Sequence, residues 1–314
     1  MEFFIDVRQN ILEQFAGFFG LETKDGVLAM DAPMGSGRMQ FLGLPNQLEL
    51  YHLTFQVNFP FSLSSANPSD SEWLLLNINL SKGILEKTVN DTQVNIQRYL
   101  PTGMLFYPPG IRVFSTSPPG EVFEIALVRF HRSLLELYDA EQIKRHIPEG
   151  QQTVIYEDLD HRSEALLRES ICLSEKKILI HAKLLELLAI FFEKLMSRSA
   201  DPKQEQLHPD DLDGLFLAAA HLRNPFANTV PGIPELAAIA NMGTTKFKTS
   251  FKQVFGLPPM KYHQKIRMDF AHDQLQSGAK SPTELSYDLG YSHPSKFTQA
   301  FKKQFGRLPS EVYP

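Results

Sequence analysis

Hydrophobic positions over residues 1–160 fall in short runs or alternate with polar ones, at 37–44, 48–57, 73–80, 95–100, 104–107 and 122–130. Proline and glycine interrupt them at 101–103, 108–110 and 117–120. Alternation with a period of two, closed off by such turn residues, is the pattern of half-buried strands. Many short strands at this spacing predict a β-barrel or sandwich. Ahead of them, Ile11, Phe15, Phe18 and Phe19 within 7–19 predict a short helix. The period then lengthens. Residues 162–173 predict one helix and 177–196 another, in which Ile180, Leu184, Leu187, Phe191 and Leu195 form a stripe widened by Leu185, Leu188 and Phe192. A stripe of that width is expected to pair with its copy in a second chain, with Leu184 and Phe191 in the contact, the alternative being that both its edges are buried within one chain. Segment 201–211 is polar, holds two prolines and reads as a linker. The expected fold class is α+β: a β-rich region at 1–160, a helical dimerisation connector at 161–200, and an all-α region at 212–314.

The last hundred residues contain an internal repeat. Phe247, Phe251, Lys252, Phe255, Gly256 and Pro259 recur fifty positions on as Phe297, Phe301, Lys302, Phe305, Gly306 and Pro309. Just upstream the offset is 49, where Leu236, Ala237 and Asn241 align with Leu285, Ser286 and Gly290. Each copy predicts a short helix, a tight turn and a second helix. The small Ala237 and Ser286 let two helices cross closely, and Asn241 and Gly290 fall where the turn needs a positive φ. In each second helix the aromatics at i, i+4 and i+8 make one buried stripe. The other face shows Thr245, Lys248, Thr249 and Lys252 in one copy, and Ser295, Thr298, Gln299 and Lys302 in the other, with no acid among them. Polar groups for base edges, cations for phosphates and no carboxylate are the requirements for a helix entering the major groove. Thr244, His293, Lys296 and Lys303 flank these faces and complete the expected DNA contacts. Two further local signals agree: Ser281-Pro282-Thr283-Glu284 is a capping box with proline at the first helical position, and His293-Pro294 starts the last helix similarly.

Charge sharpens this picture. The net charge of −5 hides an asymmetry: from Leu212 onward there are 12 Lys and Arg against 7 Asp and Glu, while the rest of the chain holds 19 against 29. A basic third on an acidic body suits a nucleic-acid module joined to something else. With 43% hydrophobic and 21% charged residues over 314 positions, the chain is not a disordered one and can bury a large core. One cysteine, Cys172, excludes an internal disulfide or a multi-cysteine zinc site, and its apolar helical setting predicts a buried small side chain. The start lacks the basic segment and cleavage site of a signal peptide. The longest apolar stretch, 184–192, is interrupted by Glu186 and falls short of the roughly 20 residues that span a bilayer. A cytoplasmic protein without membrane contact is expected.

Residues 212–314 resemble the DNA-binding domain of the AraC/XylS transcription regulators. The likeness rests on Arg223-Asn224-Pro225, on PELAAIANMGTTKFKTSFKQVFGLPPMKY, on Tyr262, Arg267, Ala271 and Leu275, and on ELSYDLGYSHPSKFTQAFKKQFGRLPSEVY. Asn241 stands where that family usually has glycine, Ser286 where it has alanine, and the chain closes Val312-Tyr313-Pro314. The resemblance implies seven helices in two helix-turn-helix units. A long helix near 259–277 would join them so that they read adjacent major-groove segments on one face of DNA. It also implies a cupin-like N-terminal sensor for a small effector, a homodimer, and contact with RNA polymerase.

The sensing half carries less specific signal. Residues 103–112 resemble the second cupin motif, with Arg112 where a metal-ligating histidine would stand. His52 and His131 are isolated, so no metal and no cofactor is expected. Arg38, Arg98 and Arg112 are candidate anchors for an effector carboxylate or phosphate, and Tyr51, Phe55, Trp73 and Tyr107 are candidate walls. Glycine-rich phosphate loops, nucleophile elbows and zincin helices are missing from the sequence, and no enzymatic activity is expected. Two alternatives stay open: a regulator controlled by a protein partner, and a metal-cupin enzyme with a DNA-binding tail.

Overall fold

A computed structural model describes every residue except 1, 32–34, 82–84, 90–91, 97–102, 118, 139–142, 144–154, 158, 174–175, 198–208, 223, 225, 227–229 and 314. The chain divides into two units, Met1–Gln206 and Leu207–Pro314. Most of the linker expected at 201–211 lies outside the described residues.

The first unit is a sandwich of two sheets. Among the described residues one sheet has five strands, in the order β1 (Glu2–Asp6), β5 (Phe61–Asn67), β10 (Ile111–Ser117), β7 (Leu85–Val89), β8 (Thr92–Ile96). The other has seven: β12 (Ile155–Glu157), β9 (Met104–Tyr107), β6 (Trp73–Asn79), β11 (Val122–His131), β4 (Leu48–Val57), β3 (Gly35–Leu44), β2 (Val27–Met30). Among the described residues the sheets stay separate and do not close into a barrel. All pairings are antiparallel except β1 with β5. The runs expected at 48–57, 104–107 and 122–130 become β4, β9 and β11. Strands β1, β2, β5, β7, β10 and β12 are additions, and the run expected at 95–100 lies outside the described residues but for 95–96 at the end of β8; Phe61-Ser-Leu-Ser-Ser-Ala-Asn67 shows too few apolar residues to stand out as a strand.

Helices explain why β6 is buried along nearly its whole length. Leu74, Leu76 and Ile78 pack with α2 (Ser133–Glu136), α3 (His161–Cys172) and α4 (Lys177–Ser197), while Leu75 and Asn77 belong to the opposite face. Ile180, Leu184, Leu187, Leu188, Phe191, Phe192 and Leu195 are all buried within this single-chain core. The Phe191 and Phe106 rings lie 5.4 Å apart. The contact expected of Leu184 and Phe191 with a second chain is therefore corrected: the extra width of the stripe covers the sheet of its own chain. Cys172 is likewise corrected, being exposed near the end of α3, whose Leu166, Leu167 and Ser170 face inward.

The N-terminal end is fixed by a buried charge. Arg129 of β11, 3% exposed, donates Nε to Glu49 Oε2 at 2.6 Å, Nη1 to the Val7 carbonyl at 2.5 Å, and also bonds the Gln9 carbonyl. Its guanidinium lies 4.1 Å from the Trp73 ring centre. Pairing, hydrogen bonds and an aromatic face together compensate the desolvation of this cation. Just beyond Gln9, Asn10 caps α1 (Ile11–Phe19) by accepting from the Glu13 amide.

The second unit shows six α-helices among its described residues: α5 (Pro209–His221), α6 (Ile233–Ile239), α7 (Thr244–Phe255), α8 (Pro259–Gln276), α9 (Pro282–Asp288) and α10 (Pro294–Phe305), followed by a 3-10 turn at Pro309–Glu311. The apolar core is built twice. Phe247, Phe251 and Phe255 meet Tyr262 and Phe216 in the first copy. Phe297 and Phe301 pack with Met268, Ala271, Leu275, Leu285 and Leu289 in the second. One helix, α8, supplies both, which ties the copies together. No helix among the described residues is long and apolar enough to cross a membrane.

Candidate nucleic-acid interface

Each helix-turn-helix is closed by the same backbone device. In the first, Asn241 sits at φ 52° and the Met242 amide donates to the Ala237 carbonyl at 2.8 Å. In the second, Gly290 sits at φ 69° and the Tyr291 amide donates to Ser286 at 2.9 Å. Ala237 and Ser286 are buried at the helix crossing, so the sequence offset of 49 is also an offset of hydrogen bonds. At the start of α9, the Ser281 amide donates to Glu284 Oε2 at 2.8 Å and the Glu284 amide to Ser281 Oγ at 3.3 Å. The Ser281 hydroxyl, which donates to Glu284 Oε2 at 2.7 Å, and then the Ser281 amide hold the Glu284 carboxyl below its ordinary range.

The connecting helix fixes both turns. His263 Nδ1 lies 2.8 Å from the Leu222 carbonyl, just past α5. Arg267 donates Nη2 to the Leu289 carbonyl in the second turn, and its guanidinium lies 5.1 Å from the Tyr291 ring centre. Gln264 reaches the Tyr291 hydroxyl at 3.1 Å. Positioning groups thus come from α8, which leaves α7 and α10 with a free outer face.

That face carries the expected residues. Thr244, Thr245, Lys248, Thr249 and Lys252 are exposed on α7, and His293, Ser295, Lys296, Gln299, Lys302 and Lys303 on or at the start of α10. Thr298 is half-buried, and its hydroxyl donates to the Pro294 carbonyl at 3.0 Å; Thr249 does the same to Thr245 at 3.1 Å. Both hydroxyls keep lone pairs for an outside donor. Among the described residues Lys248, Lys252, Lys296, Lys302 and Lys303 have no acidic partner. Lys246, by contrast, is paired with Asp211 at 2.8 Å. A row of cations without acidic partners among the described residues makes these two helix faces suited to an anion, and the Thr, Ser and Gln between them present hydrogen-bond donors and acceptors.

In the first unit the candidate effector residues are dispersed. Arg38 and Arg112 are exposed. In β10, Ile111 and Val113 point inward, which sends Arg112 outward. Tyr51 is core: its hydroxyl donates to Glu49 Oε2 at 2.8 Å, and burial, its leading influence, pushes its pKa above the ordinary value. Tyr107 is buried and raised for the same reason, and Trp73 lies against Arg129. Arg98 lies outside the described residues. A cavity of about 90 Å³ sits between the two sheets, walled by Ile5, Phe15, Leu53, Phe55, Phe61 and Leu127 among others. Of the expected wall residues only Phe55 lines it. Lys87 and Asn77, which also line it, were not among the candidates. Among the described residues no group of three or more His, Cys, Asp or Glu is placed to hold a metal ion.

Residues 236–313 match the family model of the helix-turn-helix domain. Over 71 residues the chain is 36% identical to the virulence regulon transcriptional activator VirF of Yersinia enterocolitica, covering 23% of this chain and 26% of that protein. Over 69 residues it is 35% identical to the HTH-type transcriptional regulator ExsA of Pseudomonas aeruginosa, covering 22% and 25%. The chain thus spans about a quarter of the length of these curated relatives. Among solved structures, ToxT from Vibrio cholerae overlies 84% of this chain and 96% of its own at 14% identity, with a TM-score of 0.33.

Proposed function

We propose that the chain is a sequence-specific DNA-binding regulator of transcription of the AraC/XylS type, a reading supported by the helix-turn-helix match over residues 236–313 and by the likeness of that segment to transcriptional activators. One observation carries the reading: two repeated helices expose acid-free faces whose lysines have no partner within the described residues. Helices α7 and α10 enter successive major-groove segments. Lys248 and Gln299 read base edges, and Lys302 and Lys303 neutralise phosphates. The N-terminal sandwich is the regulatory half. Its enclosed apolar interior supports a small-molecule effector over a protein partner as the signal. A second copy of the chain and RNA polymerase are the partners on DNA, and the second copy docks on a surface other than the buried stripe of α4.

Selection of bound duplexes from a random pool, followed by anisotropy titration over a range of salt, tests this. The expected result is a defined consensus bound at least ~10³-fold more tightly than scrambled duplex, with affinity falling steeply as salt rises. Recovery of no consensus, with equal binding to every duplex, would overturn it.

A further inference from the structure

Two polar side chains line the apolar cavity of the sandwich without a partner. Lys87 of β7 is 6% exposed, and no described residue gives it a hydrogen bond or an ion pair. Asn77 of β6, on the opposite sheet, is 5% exposed, and its Oδ1 is buried without a hydrogen-bond partner. Among the described residues no carboxylate lines the cavity; the polar ones beside Lys87 are Ser115, its cross-strand neighbour, and Thr116, and most of the remaining described wall is hydrocarbon.

Such an arrangement is costly for a folded protein. A buried ammonium needs a counter-charge or water, and hydrocarbon offers neither. Burial brings the Lys87 pKa down to about 8, which still leaves the group mainly cationic at neutral pH. A buried amide oxygen without a donor adds to the same imbalance. Both are relieved by one kind of molecule, with an apolar body to fill the cavity and a single anionic head for the ammonium. The Asn77 amide is the second contact, since its oxygen and nitrogen can exchange places by a flip of the side chain. Size narrows the class. A cavity of about 90 Å³ is smaller than the ~150 Å³ that accommodates benzene, so the body is compact.

We infer that the space between the two sheets is a binding site for a compact apolar monocarboxylate whose head group pairs with Lys87. This rests on the reading of the sandwich as the regulatory half and names the effector class for it.

Calorimetric titration of the full chain with sodium butanoate, sodium hexanoate, hexanamide and sodium dodecanoate tests it. One of the two short acids is expected to bind with one-to-one stoichiometry, and Lys87→Met to weaken it at least ~10-fold. Hexanamide should bind both proteins alike. Lys87→Gln provides a second variant should the first fail to fold, judged by the fluorescence of Trp73. Absence of binding by either short acid at about 10 mM, or equal binding by wild type and variants, would overturn the site. Tighter binding of dodecanoate than of hexanoate would overturn the compact body. Duplex binding by the same preparations separates the two readings. A chain that binds DNA but no acid refutes only this inference, whereas one that selects no duplex refutes the proposed function.

Discussion

Replacing Lys87 by methionine should stabilise the ligand-free sandwich, an unusual outcome for removing a long buried side chain. Methionine keeps most of the stem's volume and removes the charge. A fall in pKa from 10.5 to about 8, at about 1.4 kcal/mol per pH unit, puts the cost of the buried ammonium at about 3 kcal/mol. Because the folded value lies below the unfolded one, the unfolded chain binds the extra proton between pH 8 and 10.5. The cost is therefore fully present below pH 8 and disappears as pH rises through that window. Lys87→Met should gain about 3 kcal/mol at pH 7 and keep less than half of that advantage at pH 9.5. Comparing the two proteins at each pH cancels the groups they share. Urea unfolding of ligand-free protein followed through Trp73, the one tryptophan of the chain, reports on the sandwich alone, because that residue lies in β6. A loss of stability at pH 7, or a gain that does not change with pH, would refute the reasoning.

Further outcomes follow from the second unit and the helices on the sheet. Lys248→Ala and Gln299→Ala should each weaken the selected duplex by about 1–3 kcal/mol and relax preference at particular base pairs; an unchanged consensus in both would count against their assignment. Lys302→Ala or Lys303→Ala should weaken all duplexes nearly evenly and lower the salt slope by about one, as read from titrations at several salt concentrations. Gly290→Ala should cost about 1–2 kcal/mol of domain stability because φ at this turn is positive, whereas Asn241→Gly should be nearly neutral; thermal unfolding of the full chain would resolve the two. Leu184→Glu with Phe191→Glu should abolish the folded sandwich, seen as loss of the native Trp73 signal and aggregation by light scattering. A folded monomer instead would restore the interchain reading of α4.

Legibility in the sequence differed between the two halves for physical reasons. The helices α7 and α10 declare themselves because three phenylalanines at i, i+4 and i+8 leave one possible inner face, and a second copy repeats the statement. Asn241 and Gly290 were readable because so few residues tolerate a positive φ. In the sandwich, arginine and aromatic content is a poor guide to the cavity, since residue type says nothing about which face a strand presents. Arg112 lies between buried Ile111 and Val113, and alternation alone assigns it outside. Lys87 shows the reverse: it is in phase with buried Val89, two residues on, so the same rule would have found it. Leu-Glu-Lys-Thr-Val, however, reads as polar and does not announce a strand. The width of α4 reflected a sheet lying against it, which no property of the helix itself reveals.

The seam at Arg129 closes late in synthesis. Strand β1 has its pairing partner at Phe61–Asn67, yet the carbonyls of Val7 and Gln9 wait for a guanidinium more than a hundred residues downstream. At translation rates of 5–20 residues per second, that delay is on the order of ten seconds. Throughout it the earliest strand and its phenylalanine-rich helix have left the ribosome without the group that fastens them. The C-terminal third, assembled from helices that meet their sequence neighbours, needs no such wait. The nascent chain therefore emerges slow half first, and its most exposed period falls before Arg129 is made.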